Sequence, residues 1–569
     1  MISRILLAHV LVLASGLFAR ADDPTPADVV YRRGAVYTVD AVRRWAESVA
    51  VRDGRIVYVG TDAGIASWIG AKTQTIDLKG KMLLPGFHDS HVHLIGGGLD
   101  LDECNLFDLA TQEEVLDAIQ QFAKRNPRKK WIRGGGWPLT MSGGNPHKSL
   151  LDKLVPDRPA LLEAFDGHSA WANSRALAIA GITKETPDPP RGKIERDPVT
   201  GEPSGTLRES AARLVSDKAP PYSAEEFVTG LRRGMEVASR NGITSVQEAR
   251  VTDQHLNALS ELDRKGELNV KVVAAMHYDP AKGLSQVPRF VEWRKKYEGR
   301  RVRATAVKIF QDGVIESRTA ALLSDYLSEG PPQRGWLNVE LDDFKPLAAE
   351  LDRLGFQIHT HAIGDRAIQT TLDALEFAQA RNGRRDSRHH IAHLQLFDPA
   401  DIPRLRRLGV VANFQGFWAW ADPYIVDMTI PLLGPERSRW LYPMRSVANS
   451  GAVVSGGSDW PVTSMNPLDA IQVAITRRGL EQGAGAAWIP EETVDLAQML
   501  ASYTINGAYL NFQEKETGSI EVGKAADLVV LDRNLFDVSP HEIHLAKTLM
   551  TVLDGLVVYR SADFGESAP

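Results

Sequence analysis

Eight short apolar runs recur through the middle of this chain, each followed by a helix-like stretch, and that alternation leaves few folds open. In order they read "MLLPGFHDSHVH" from residue 82, "GITSVQEAR" from 242, "LNVKVVAAM" from 268, "RATAVKIFQDG" from 303, "FQIHTHAIGD" from 356, "HHIAHLQ" from 389, "GVVANFQ" from 409 and "GAVVSGGSDWPV" from 451. Apolar runs of this length separated by helical patterns are the mark of parallel strands joined by helices. Eight of them predict a (β/α)8 TIM barrel, an α/β fold whose reactive side chains gather at the C-terminal ends of the strands.

The two ends of the chain differ from this middle. "DVVYRRGAVYTVD", "SVAVRDGRIVYVGTD" and "TQTIDLKGKMLLPGF" alternate apolar and polar residues between Gly and Asp-Gly turns, and the style returns in "GSIEVGKAADLVVLDRN" and "TLMTVLDGLVVYR". One small β-sandwich built from both termini, residues 22–84 and 515–569, is therefore expected around a barrel of residues 85–514. Residues 95–240 hold further strand-like pieces, "KWIRGGGWPL" and "PALLEAFDGHSAWANS", ahead of the second barrel strand, and are expected to form an insertion over the active face.

Residues 1–21 form a third kind of segment. A basic Arg4, an apolar stretch from Ile5 to Phe18 and small residues at Ala19 and Ala21 match an export signal, with cleavage after Ala21 and a mature chain starting at Asp22. The apolar stretch is short for a bilayer span, so the exported protein, periplasmic or secreted, is expected to be free of the membrane. The single cysteine, Cys104, excludes an intramolecular disulfide. A net charge of −6 supplies no basic surface for nucleic acid, so the expected partner is a small-molecule substrate, with homodimerisation left open.

The strand ends carry the chemistry. His91 and His93 are two residues apart, so on a strand they point the same way, into the barrel mouth. Asp89 shares that face and His88 opposes it. Paired histidines also occur as ordinary polar residues, so the spacing by itself does not make ligands of them. Their company does: Lys308 ends the fourth strand, His361 the fifth, His393 the sixth and Asp459 the eighth. Imidazoles and carboxylates suit zinc and its neighbours. A lysine among cations has a depressed pKa, and its neutral amine takes up carbon dioxide to become an anionic carbamate able to bridge two metals.

"LPGFHDSHVHL", "VKIFQDG", "HAIGDRA", "IAHLQ", "GSDWPV" and "TGSIEVGKAADLVVLD" resemble the amidohydrolase superfamily, in the branch that includes the N-substituted formamide deformylases, over nearly all of the mature chain. The resemblance implies metal binding by His91, His93, His361, His393 and Asp459, one or two zinc ions, and a carboxylated Lys308 as the bridge when there are two. Asp459 then serves as general base and acid in hydrolysis of an amide-type C–N bond. Ala392 stands where the branch often has Glu, and Gly416 in "NFQGFW" where Pro is common.

Candidate substrate contacts are His168, Trp137, Trp171, Arg318 and Trp418. The first three could equally be core residues of the insertion, and Arg318 could hold a substrate carboxylate or pair with an acidic neighbour. His359 is expected behind the ligands, His390 to point away from His393 towards solvent or a packed helix, and His389 to share the face of His393 at too great a depth. Deamination, opening of a cyclic amide or ester, and a non-catalytic binding role on the same scaffold stand as alternatives. Loss of a ligand or of Asp459 would favour the last, and none is lost.

Overall fold

The computed structural model describes residues 25–42, 44–107, 109–327, 331–481 and 486–564. The export signal expected at residues 1–21 lies outside the described residues.

The eight apolar runs become eight strands, numbered here β1 (Phe87–Val92), β2 (Ile243–Val251), β3 (Lys271–His277), β4 (Val302–Phe310), β5 (Gln357–Ala362), β6 (His390–His393), β7 (Val411–Phe414) and β8 (Val454–Gly456). They form one sheet in that order, every neighbouring pair parallel. The two edges meet through the residues just beyond them. The Asp459 amide donates to the His91 carbonyl at 2.8 Å and the His93 amide to the Trp460 carbonyl at 2.9 Å. Lower down, Asn413 Nδ2 reaches the Ser90 carbonyl at 2.8 Å. A sheet of this size avoids bare edges by closing, and here the seam is also where site residues sit.

Around the strands, buried Leu, Ile, Val and aromatic side chains of strands and helices merge into one large core. Helices α1 (Leu94–Asp100) and α2 (Ala224–Arg240) belong to it. They cross with their backbones in contact, because a Cβ on Gly98 would lie 1.9 Å from the Gly230 carbonyl oxygen and one on Gly234 2.2 Å from that of Leu94. Only glycine permits that approach.

Between α1 and α2 the chain leaves the barrel and builds a six-stranded sheet in the order Gly192–Arg196, Pro203–Glu209, Ser169–Ala172, Ala160–Ala164, Ile132–Trp137, Cys104–Asn105, with apolar clusters of its own on both faces. Near the termini, a four-stranded and a six-stranded sheet enclose a separate core of Tyr31, Val49, Ile76, Leu83, Leu528, Val530, Met550 and Val552. The six-stranded one places Met82–Pro85 beside Leu528–Leu531, so the two ends of the chain share one sheet.

Candidate metal centre

The two histidines after the first apolar run reach the same oxygen. His91 Nε2 lies 3.2 Å and His93 Nε2 3.1 Å from Asp459 Oδ1, so the three donors form a compact group. Asp459 follows β8 in the left-handed region, at φ 57°. Asp is among the few residues besides Gly that take up such a backbone readily, and here a tertiary contact enforces it. The enforcing contact is the bond from its own amide to the His91 carbonyl. Gly457 is part of the same seam, since a Cβ there would sit 2.8 Å from His91 N.

Beside this group stand Lys308, His361 and His393. Lys308 Nζ is 3.3 Å from His91 Nε2, the His393 ring centre is 4.7 Å from that of His91 and 4.5 Å from that of His361, and His393 Nδ1 is 4.0 Å from Asp459 Oδ2. All six side chains expected at the mouth are therefore neighbours. His91, Lys308, His361 and His393 are nearly inaccessible, whereas His93, with 24% of its side chain exposed, forms the outer rim.

Burial sets the protonation states. It pushes His91 down to about 3, with the Lys308 charge adding to the effect, and holds His361 and His393 well below the usual histidine range. Their nitrogen lone pairs are thus free for a cation. Burial also draws the Lys308 amine down to about 7, against the opposing pull of Asp459, so a large share of it is uncharged at neutral pH. For Asp459 burial acts upward, but contact with His91 and His93 outweighs it and keeps the carboxylate ionised.

A second layer aims these groups. His359 Nε2 meets His91 Nδ1 at 2.9 Å and leaves His91 Nε2 facing Asp459. The Asp312 carboxylate lies 3.3 Å from His361 Nδ1 and is itself fixed by the amides of Ala321, Ile363 and Gly364. Asp89 takes the amides of His91 and Ser458, tying the two sides of the seam. Such partners fix the tautomer of a ligating imidazole. Asp312 was not singled out from the sequence, although it stands inside "VKIFQDG", two residues past the end of β4.

Two sequence expectations for the sixth run are corrected. His390 does not face solvent or a helix: it is fully buried inside the barrel with its ring 4.0 Å from that of His359. Strict alternation fails because His393 and Leu394 have φ of 80° and 51°, which turns His393 inward although it stands three residues from His390. His389 is the residue that points away from the barrel interior, bonding Asp352 on the helix Leu341–Arg353 through Nε2 at 3.1 Å.

The candidate substrate contacts separate by place. Trp418 stacks on His393, centres 5.4 Å apart and planes within 5°. His168 reaches from the inserted sheet to within 5.1 Å of the His361 ring. Its Nδ1 lies 3.1 Å and 3.2 Å from the two Glu209 oxygens, and although burial lowers its pKa, that carboxylate outweighs burial and lifts it to about 9. Glu209 has φ 49° and also accepts from Thr319 Oγ1 at 2.7 Å. No spacing links Glu209 to His168 in the sequence, 41 residues away. Trp137 and Trp171 have no accessible surface and pack together, centres 6.5 Å apart, in the core of the inserted sheet. That is the packing placement left open for them. Arg318 is exposed on the loop after β4, and its guanidinium makes no ion pair among the described residues.

Buried polar atoms without partners test whether this donor set fits a metal. His393 Nδ1 is buried without a hydrogen-bond partner, and Asp459 Oδ1, equally buried, is faced only by the two imidazole nitrogens His91 Nε2 and His93 Nε2, a costly arrangement in a closed site. Imidazole nitrogens and a carboxylate that face one another without protein donors are what a borderline divalent cation satisfies. The residues fit.

Comparison with known proteins agrees. The amidohydrolase family model matches residues 74–559. The chain is 32% identical over 544 residues to the protein LONG AFTER FAR-RED 3 of Arabidopsis thaliana, covering 94% of this chain and 92% of that one. It is 30% identical over 545 residues to the N-substituted formamide deformylase of Arthrobacter pascens, covering 94% and 98%. Among solved structures, an uncharacterised metal-dependent hydrolase of Pyrococcus horikoshii superposes with a TM-score of 0.71 at 24% identity, over 90% of this chain and 99% of that one. Its counterpart from Pyrococcus furiosus gives 0.68 at 26%, over 89% and 99%. The chain belongs to the amidohydrolase family and is a metal-dependent hydrolase acting on carbon–nitrogen bonds.

Proposed function

From that membership we propose that the protein is an exported hydrolase that cleaves the C–N bond of an amide or N-substituted formamide, with Asp459 as the proton carrier. The observation that carries this reading is the convergence of His91 Nε2 and His93 Nε2 on one oxygen of Asp459, at 3.2 Å and 3.1 Å, beside a buried Lys308. His91, His93, His361, His393 and Asp459 would hold one or two divalent ions, zinc by the chemistry of the donors. Lys308 would bridge two of them as a carbamate, formed when its neutral amine adds carbon dioxide and releases a proton. When bound, such an ion makes hydroxide available near pH 7 and polarises a carbonyl.

The side chains do the rest. Asp459 accepts the proton of the attacking water at its carboxylate and hands it to the nitrogen of the departing amine, so one group serves both halves of the reaction. His168, held at Nδ1 by Glu209, presents Nε2 to the carbonyl oxygen. Trp418, stacked on His393, forms an apolar wall against which the acyl or N-substituent lies. The relationship to a formamide deformylase supports the formamide among amide substrates.

The test is a screen of protein purified without chelators against N-alkyl and N-aryl formamides, simple amides, lactones and heterocyclic amines, with metal measured on the same sample. Release of amine and carboxylic acid from a formamide or amide, abolished by a chelator and restored by zinc, is expected. Metal-loaded protein that frees no amine from any of them overturns the reading. Export is tested separately: secreted protein should begin at Asp22 by mass spectrometry.

A further inference from the structure

Two arginines without an ion pair among the described residues come together where the barrel mouth meets the inserted sheet. Arg250 lies at the C-terminal end of β2, and Arg213 on the short helix Ser210–Ser216 that follows the last inserted strand. Both are exposed, and neither has an ion pair or side-chain hydrogen bond among the described residues. Yet they are close enough for the charge of Arg213 to bear on Arg250, and both bear on His277 at the end of β3. Unpaired guanidiniums brought together from two separate layers repel each other, and an anion between them removes that cost.

The position is tied to the metal centre by Phe310. The Arg250 guanidinium carbon is 5.8 Å from the Phe310 ring centre, and that ring is 4.8 Å from Lys308 Nζ and 5.4 Å from the His361 ring. Phe310 alone thus stands between Arg250 and the metal centre along this line of contacts. Two acids share the region: Asp279 beyond β3, which bears on His277 and feels Arg213 but is paired with Lys282 at 3.1 Å, and Glu163 on the strand Ala160–Ala164. Neither is within 4.0 Å of Arg250 or Arg213, and burial, partly offset by Arg250, raises the Glu163 carboxyl towards the neutral form. The balance of the wall is positive.

We propose that Arg250, backed by Arg213, is a carboxylate subsite, and that the preferred substrates are amides carrying an anionic carboxylate a few atoms from the scissile bond, as in N-acyl amino acids. This rests on the hydrolase reading above and narrows its substrate class. Planar guanidinium pairs with carboxylate through two parallel N–H bonds, which gives orientation as well as attraction and would direct the scissile carbonyl past Phe310 towards Asp459.

Binding rather than turnover separates this inference from the one it rests on. Calorimetric Kd values of the full-length mature protein for N-acetylglycine and N-benzoylglycine are compared with those for the corresponding glycinamides, which lack only the charge. At least a tenfold preference for the acids is expected, shrinking as salt is raised, and Arg250→Gln should bring the ratio close to one while Arg250→Lys keeps part of it. No preference in the wild-type protein, or a ratio that Arg250→Gln leaves unchanged, overturns the subsite. Should the variants fail to fold, the salt dependence of the wild-type ratio decides: a preference independent of salt counts against an exposed charged subsite. Protein that binds the acids preferentially but hydrolyses no amide retains the subsite and loses the hydrolase reading.

Discussion

Asp459→Asn separates metal binding from proton transfer. Asn is among the few residues that tolerate the left-handed backbone found at this position, φ 57°, so the seam between β8 and β1 should survive. The side-chain oxygen facing His91 Nε2 and His93 Nε2 at 3.2 Å and 3.1 Å is kept, while the second oxygen, 4.0 Å from His393 Nδ1, becomes an amide nitrogen with no basic lone pair. Metal should stay and the proton carrier should go. General acid–base steps contribute about 10²- to 10⁴-fold, which corresponds to about 3–5 kcal/mol of activation free energy. The assay is kcat on whichever amide the screen identifies, normalised to zinc by elemental analysis, with circular dichroism confirming the fold. A variant with full metal and more than about a tenth of wild-type turnover refutes the assigned role, because the loss would fall below the range such a carrier supplies. A variant that loses metal and activity in parallel assigns Asp459 to ligation alone.

Four further outcomes are expected. His91→Ala and His93→Ala each delete a coordinating nitrogen, so metal content and activity should fall together, and an inactive His91→Ala protein with full zinc contradicts the ligand assignment. Lys308→Ala should also lose metal, but millimolar acetate or propionate should restore part of it by standing in for a carbamate; rescue by chloride to the same degree counts against the bridge. Asp352, buried and bonded by His389, Asn382, Arg385 and Ser387, should cost about 3–5 kcal/mol when changed to Ala, since it leaves buried partners unpaired. Burial opposes its ionisation, but those donors hold its pKa below the usual carboxylate range; its stabilisation is present above about pH 4 and drains away as pH falls, so the variant should also lose acid sensitivity below pH 4 in urea titrations. Equal urea midpoints at pH 7 contradict this.

The period of the apolar pattern was enough to count the barrel, because a parallel strand buried on both faces reads as a short apolar run whatever surrounds it. Eight runs in the sequence are eight strands in the sheet. The ligand candidates were legible for a related reason: His91, His93, Lys308, His361, His393 and Asp459 end strands, and strand ends in this fold all point to one mouth. Local pattern failed where the backbone departs from its period. At His393 a φ of 80° turns a side chain inward that alternation sends elsewhere, and His390 joins the interior against expectation. Nor does any local signal mark pairs such as His168 with Glu209 or His361 with Asp312, whose members come from different layers or different strand ends. The same holds for Arg250 and Arg213, ordinary arginines in the sequence until the fold brings them together without an ion pair among the described residues. Spacing along a chain encodes which face of an element a residue takes, whereas only the packing of elements decides which faces meet and which charges remain unpaired.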